Sequence, residues 1–71
     1  MLQASYRLTA AEIEVLQLLM RGRSANDVAI WTGRSVPTVR THIHALIGKT
    51  GARNQMELLR LCLGLMSLAA D

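Results

Sequence analysis

The residues best suited to chemistry lie in one cationic stretch, residues 28–56, which contains no aspartate or glutamate. All five acidic residues of the chain lie outside it, so the net charge of +3 is concentrated there. The stretch also contains two histidines. Its basic and histidine residues are Arg34, Arg40, His42, His44, Lys49 and Arg53. A cationic surface without acids is suited to binding a polyanion, and both nucleic acid and a membrane surface are candidates.

The centre of this stretch has the periodicity of an amphipathic helix. Its buried face is predicted to consist of Val36, Val39, Ile43, Leu46 and Ile47. The opposite face would present Pro37, Thr38, Thr41, His44, Ala45 and Gly48, with Arg40 and Lys49 on the flanks. A helix with one apolar face and one cationic, hydroxyl-bearing face is suited to the major groove of DNA.

Start and stop signals divide the chain into four helices, at about 9–21, 24–32, 35–50 and 54–69, which predicts an all-α fold. The starts are marked by the capping residues Thr9, Ser24, Ser35 and Asn54, and the first three helices end at Gly22, Gly33 and Gly51. The second and third helices are joined only by Gly33 and Arg34, which predicts a helix-turn-helix. Residues 1–7 are interpreted as an arm or cut linker, and residues 8–71 as a single domain.

Composition disfavours several other kinds of site. The chain has 71 residues and one cysteine, so neither a disulfide framework nor a structural zinc site is expected. Cys62 is interpreted as a small core residue, with a reactive thiol as the alternative. No signal peptide or membrane-spanning segment is predicted, and a single thiol fits a reducing cytoplasm. We expect no metal and no cofactor, and we find no array of residues typical of an enzyme.

A series of short motifs runs along the chain. They are Leu8-Thr9-x-x-Glu12, Val15-Leu16-x-x-Leu19-x-x-Gly22-x-Ser24, Asp27-Val28-Ala29, Ser35-x-x-Thr38-Val39-Arg40-x-His42-Ile43, and Lys49-x-Gly51-x-Arg53-Asn54-x-x-Glu57. Together these motifs resemble the LuxR-type DNA-binding domain of bacterial transcription regulators. The resemblance covers about Leu8 to Leu63 without gaps. The chain departs from the family at Thr32, Arg34, Thr50 and Gln55, none of which lies on the DNA-facing side of the third helix.

The resemblance implies a four-helix domain whose third helix enters the major groove. The family's base-reading positions match Arg40, Thr41 and His44. Arg40 is suited to guanine, His44 to an acceptor on a base edge, and Thr41 either to a thymine methyl or to a hydrogen bond. Phosphate contacts are predicted for Ser24, Arg34, Ser35, Thr38, Lys49 and Arg53, although the serines also serve as helix caps. His42, at the edge of the apolar stripe, is interpreted as a hydrogen-bonded structural histidine.

The fourth helix is apolar on more than one side, which one small domain cannot bury completely. The resemblance implies dimerisation through this helix. We expect an interface at Leu61, Gly64, Leu65 and Leu68, and the competing explanation is a docking surface for an upstream sensing domain, which this sequence does not contain.

Ile30 and Trp31 are predicted on the outer face of the second helix. They are either isolated surface residues or a contact patch for a sensing domain, a partner subunit or RNA polymerase.

The leading functional hypothesis is sequence-specific binding of double-stranded DNA by the output domain of a bacterial, cytoplasmic transcription regulator, which would lie on the nucleoid when bound. The alternative is a helix-turn-helix interaction module: an adaptor, an anti-activator or a polymerase-contacting domain that resembles sigma factor region 4. A membrane-surface role is less well supported, because the basic residues and the most apolar helix are in different elements.

Overall fold

The computed structural model describes the backbone of residues 7–70 and the side chains of residues 7–64. It contains four helices, α1 (Ala10–Met20), α2 (Ala25–Thr32), α3 (Val36–Thr50) and α4 (Gln55–Ala70), and residues 7–70 contain no strand. The predicted all-α, four-helix architecture is confirmed. None of the helices described is long and apolar enough to cross a membrane.

Reciprocal capping hydrogen bonds fix the starts of α1 and α2. The Thr9 hydroxyl accepts the Glu12 N–H at 3.1 Å, and the Glu12 carboxylate accepts the Thr9 N–H at 2.8 Å. Ser24 and Asp27 make the same pair of bonds at 3.2 and 3.3 Å. A capping side chain contributes about 1 kcal/mol. Both helices therefore begin at residues determined by local sequence.

A short turn sets the orientation of α3 relative to α2. Gly33 has a φ of 70°, a left-handed conformation that glycine adopts without strain and that ends α2. Ser35 then caps α3 by accepting the Thr38 N–H at 3.3 Å, and Pro37 lies in the first turn, where its missing N–H has no intrahelical partner to lose. The predicted helix-turn-helix thus comprises α2 and α3.

The core is arranged around α3, which packs against each of the other three helices. Val39 and Leu46 of α3 are completely buried, as are Val28 of α2 and Leu58 of α4, and Leu16 of α1 is nearly so. The predicted apolar stripe of α3 is therefore its inner face. Its opposite face is left at the surface.

Two threonines stand where the resembled family has aliphatic residues, and their hydroxyls are satisfied within their own helices. Thr32 donates to the Val28 carbonyl at 2.8 Å, and Thr50 donates to the Leu46 carbonyl at 2.8 Å. Because each hydroxyl has an acceptor one turn back, the half-buried side chains leave no polar atom unsatisfied.

Candidate nucleic-acid interface

The candidate interface is the outer face of α3. Thr38, Arg40, Thr41, His44 and Gly48 are exposed on this face. The helix contains no acidic residue, so nothing on its own surface repels a phosphate or a base-edge acceptor. The packing of α3 against the other helices therefore leaves a convex, cationic ridge.

An open groove of about 440 Å³ runs beside this ridge. Ile43 and Ile47 of α3 contribute apolar surface, while Arg40 and His44 line it from the same helix. The other lining residues are Ala25, Arg53, Asn54 and Gln55. None of the eight lining residues is acidic. The structure thus brings Arg53, which is 13 positions beyond Arg40 in sequence, into the same groove.

The hydroxyls at the start of α3 have different partners. Ser35 donates to the Thr38 hydroxyl oxygen at 2.9 Å. Thr41 donates instead to the carbonyl oxygen of Pro37, at 3.0 Å. The proton of the Thr38 hydroxyl is thus available to an outside acceptor, whereas that of Thr41 is engaged by the helix backbone.

Lys49 lies in a contact that the sequence reasoning did not find. Its ammonium Nζ is 2.7 Å from the Glu12 carboxylate and 3.3 Å from the carbonyl oxygen of Arg7. Glu12 is buried, with only 6% of its side chain exposed. Lys49 was predicted to contact phosphate, and this ion pair directs its charge inward.

The charge of Lys49 explains how Glu12 is kept ionised in the core. Burial by itself would raise the pKa of Glu12, but the hydrogen bond from Lys49, the bonds from Thr9 and the nearby positive charge outweigh it. The pKa of Glu12 is therefore held below its ordinary value. Glu12 acts as an anchor between the start of α1 and the end of α3.

Arg34, in the turn between α2 and α3, is also paired with an acid of α1. Its guanidinium is 2.7 Å from the Glu14 carboxylate, and 30% of the Arg34 side chain and 53% of that of Glu14 remain exposed. Sequence reasoning missed this pair, because the partners are 20 positions apart. A phosphate would have to compete with Glu14 for this guanidinium.

Two other predicted phosphate contacts lie near helix starts. Ser24 is exposed at the start of α2, and its hydroxyl oxygen is occupied by the Asp27 N–H. Arg53 is exposed, and its backbone N–H donates to the Glu57 carboxylate at 3.0 Å. Its side chain therefore extends from a segment that is hydrogen-bonded to the first turn of α4.

His42 is half-buried, as expected for a residue at the edge of the apolar stripe. The expected hydrogen bond is not found, because its ring bonds to no other residue within 7–64. Within the described residues there is also no group of histidines, cysteines and acids that could hold a metal ion.

The outer face of α2 exposes a small apolar patch. Ile30 is 79% exposed and Trp31 is 65% exposed. The guanidinium carbon of Arg23 lies 5.5 Å from the centre of the indole ring, within the range of a cation–π contact. Trp31 is thus covered in part by a cation and otherwise open to solvent.

On α4, the described residues separate an inner face from an outer one. Leu58 and Cys62 are completely buried, and burial raises the pKa of the Cys62 thiol. Leu61 is half-buried, Leu63 and Gly64 are exposed, and a methyl group on Gly64 would meet no atom within 4 Å. Leu65 and Leu68, the other predicted interface residues, lie outside the described side chains.

Comparison with models of protein families matches residues 6–62 to one family, described as bacterial regulatory proteins, luxR family. Comparison with curated proteins and comparison with solved structures each find no match.

Proposed function

The chain belongs to the luxR family of bacterial regulatory proteins, and from that premise we propose that it binds double-stranded DNA sequence-specifically through α3 in the major groove. The family accounts for a DNA-binding role in transcription regulation. The proposal specifies that α3 is the helix that contacts the bases. It also states which residues contact bases and which contact phosphates. It makes this chain the output domain of a bacterial transcription regulator.

One observation carries the proposal: α3 is buried along one side by all three other helices and is acid-free and exposed along the other. The major groove of B-DNA is wide enough to admit a helix, and its base edges present a pattern that distinguishes all four base pairs. A helix held by the core on one side enters the groove without unfolding.

Arg40, Thr41 and His44 are the proposed base contacts. Arg40 is exposed on the flank of the ridge and carries donors in the forked geometry that matches O6 and N7 of guanine. His44 lies one turn further along, in the same groove. Both side chains are therefore within reach of neighbouring base pairs.

Phosphate contacts are proposed for Arg53, Thr38, Ser35 and Ser24, all of which are exposed. Arg53 supplies a charge from the start of α4, and Thr38 has a free hydroxyl proton. Arg34 and Lys49 are also proposed as phosphate contacts. To make these contacts, Arg34 must release Glu14 and Lys49 must release Glu12 when DNA binds. Of the two, Arg34 is the easier to release, because its partner is exposed.

The decisive experiment is selection of binding sites from random DNA with the purified chain, followed by affinity measurement on the selected and on a scrambled duplex. Arg40→Ala should reduce discrimination by about 1–3 kcal/mol at one base pair. Arg40→Lys is the matched control, because it keeps the positive charge and removes the pair of guanidinium donors that matches O6 and N7 of guanine. It should bind the scrambled duplex almost as well as the wild type and still lose discrimination.

A second control is Arg60→Ala, which removes one exposed charge from α4 outside the groove. It should change neither affinity nor discrimination appreciably. No enrichment of any sequence, or equal losses on both duplexes for Arg40→Ala, would contradict the proposal.

Dimerisation through α4 is proposed as part of the same function. Half-buried Leu61 and exposed Gly64 lie on a face of α4 separate from buried Leu58 and Cys62, and Gly64 permits close approach of another backbone. A pair of such domains would read two half-sites. Sedimentation velocity of the free chain and of the chain on DNA tests this, and a strictly monomeric state in both would remove it.

A second candidate function, an interaction module, is favoured by Ile30 and Trp31. Their exposure suits a partner such as RNA polymerase, or a sensing domain in a longer regulator. The discriminating measurement is DNA binding itself, because an adaptor that has lost groove contact would show no preference for any duplex.

A further inference from the structure

We propose that Thr41 recognises the C5 methyl group of a thymine and does not donate a hydrogen bond to a base. This inference rests on the proposed entry of α3 into the major groove, and it specifies one chemical group that is read there. Threonine carries both a hydroxyl and a methyl group, so the residue type alone does not determine which of the two contacts the base.

The hydroxyl of Thr41 is already engaged by the helix. Its Oγ1 donates to the carbonyl oxygen of Pro37 at 3.0 Å, one turn earlier. A hydroxyl has a single proton, so this bond leaves it nothing to donate to an acceptor on a base edge. Threonine in a helix adopts this arrangement readily, because its hydroxyl can bond to the backbone of the preceding turn.

Thr38, on the same face of α3, does not donate its hydroxyl proton to the helix backbone as Thr41 does. There the hydroxyl oxygen accepts from Ser35 at 2.9 Å, and its own proton is left free. Two exposed threonines three residues apart therefore differ in what they present. Thr38 presents a hydroxyl donor suited to a phosphate oxygen, whereas the group that Thr41 has available for a base is its methyl group.

The line along the helix surface that passes through Thr41 carries no other polar side chain at positions 37 and 48. On an ideal helix, positions 37, 41 and 48 lie within about 40° of one another. They contribute a proline ring, a methyl group and a glycine, and Pro37 and Gly48 are both exposed. The thymine methyl is the apolar group that a base pair displays in the major groove. An apolar line along the centre of the ridge, flanked by Arg40, is complementary to it.

The test removes the methyl group of thymine from the DNA and, separately, the methyl group of Thr41 from the protein. The selected duplex is prepared with each thymine in turn replaced by deoxyuridine, which lacks only the C5 methyl. Affinity for the whole chain is measured by fluorescence anisotropy. One thymine per half-site should show a loss of roughly fourfold, the equivalent of about 0.8 kcal/mol for one buried methylene-sized group.

Two variants of Thr41 then assign the loss to its methyl or to its hydroxyl. Thr41→Ser keeps the hydroxyl and removes the methyl, so it should bind the thymine and deoxyuridine duplexes equally. Thr41→Val keeps a methyl and removes the hydroxyl, so it should retain the fourfold difference. Far-ultraviolet circular dichroism checks that both variants keep the helical fold.

The opposite pattern, with the difference kept by Thr41→Ser and lost by Thr41→Val, would overturn the inference and assign base reading to the hydroxyl. Sequence-specific binding with no sensitive thymine would also overturn it, and would leave the proposed function intact. Failure of the chain to prefer any selected duplex would remove the proposed function and this inference together.

Discussion

Replacing Glu12 by glutamine tests whether the ion pair with Lys49 holds α3 to the rest of the domain. The glutamine has the same shape and can still accept the Thr9 N–H through its amide oxygen, so the change removes mainly the charge. Breaking a buried ion pair costs about 3–5 kcal/mol, and breaking an exposed one costs about 0.2–1 kcal/mol. Here one partner is 6% exposed and the other 35%.

Because Lys49 can turn its ammonium towards water, the expected loss lies between these limits, at about 1.5–2.5 kcal/mol. For a domain of this size such a loss lowers the melting temperature by roughly 10 °C. The measurement is urea and thermal unfolding followed by circular dichroism at a concentration low enough to exclude association.

The matched control is Glu14→Gln, on the same helix and in an ion pair of the same 2.7 Å length. Since more than half of the Glu14 side chain is exposed, we expect a loss of no more than about 0.5–1 kcal/mol. Equal losses for the two variants would refute the argument, because burial would then not be the property that makes the Glu12 pair important.

The stability contributed by the Glu12 charge should also depend on pH in a defined direction. The pKa of Glu12 is lowered in the folded protein from an ordinary value of 4.5. The contribution is therefore fully present above the pKa of the unfolded chain and is lost as pH falls through the lower folded value. The difference between wild type and Glu12→Gln should be constant near neutral pH and should shrink in acid. A difference that grew in acid would contradict this assignment.

Further predictions follow from the groove, the outer face of α4, the α2 patch and the buried thiol. Arg53→Ala should weaken binding to all duplexes alike and reduce the slope of log affinity against log salt by about 0.9, as measured by anisotropy titrations. Leu61→Glu should shift a dimer to monomer in sedimentation velocity without lowering the melting temperature of the monomer. Trp31→Ala should leave DNA affinity unchanged and reduce transcription activation in a reporter assay. Cys62 should react with a thiol reagent only as fast as the domain unfolds, so rapid labelling of the folded chain would contradict its burial.

Local signals in the sequence predicted most of the fold. The capping pairs of Thr9 with Glu12 and of Ser24 with Asp27 are three residues apart, and such short-range patterns determine where helices begin. Helical periodicity likewise predicted the exposure of Ile30 and Trp31. These features depend only on neighbours along one helix, so a single sequence contains the information.

The two ion pairs with α1 could not be predicted in this way. Glu12 and Lys49 are 37 positions apart, and Glu14 and Arg34 are 20 apart, so their contact depends on how three helices cross. The hydroxyl orientation of Thr41 was also undetermined, because threonine has more than one accessible rotamer in a helix. The pairing of Lys49 with Glu12 is visible only in the packed structure, and the phosphate role of Lys49 stays a prediction.

The two sides of α3 have separate consequences for how such a chain can change over evolutionary time. Val39 and Leu46 are completely buried against the other helices, whereas Arg40, Thr41 and His44 are exposed. If these three exposed residues contact bases as proposed, a substitution at any of them should alter which base pairs are preferred without disturbing the packing that keeps the domain folded. On that proposal new operator preferences would accumulate by single substitutions through folded intermediates, and a library randomised at these three codons should yield mostly folded proteins.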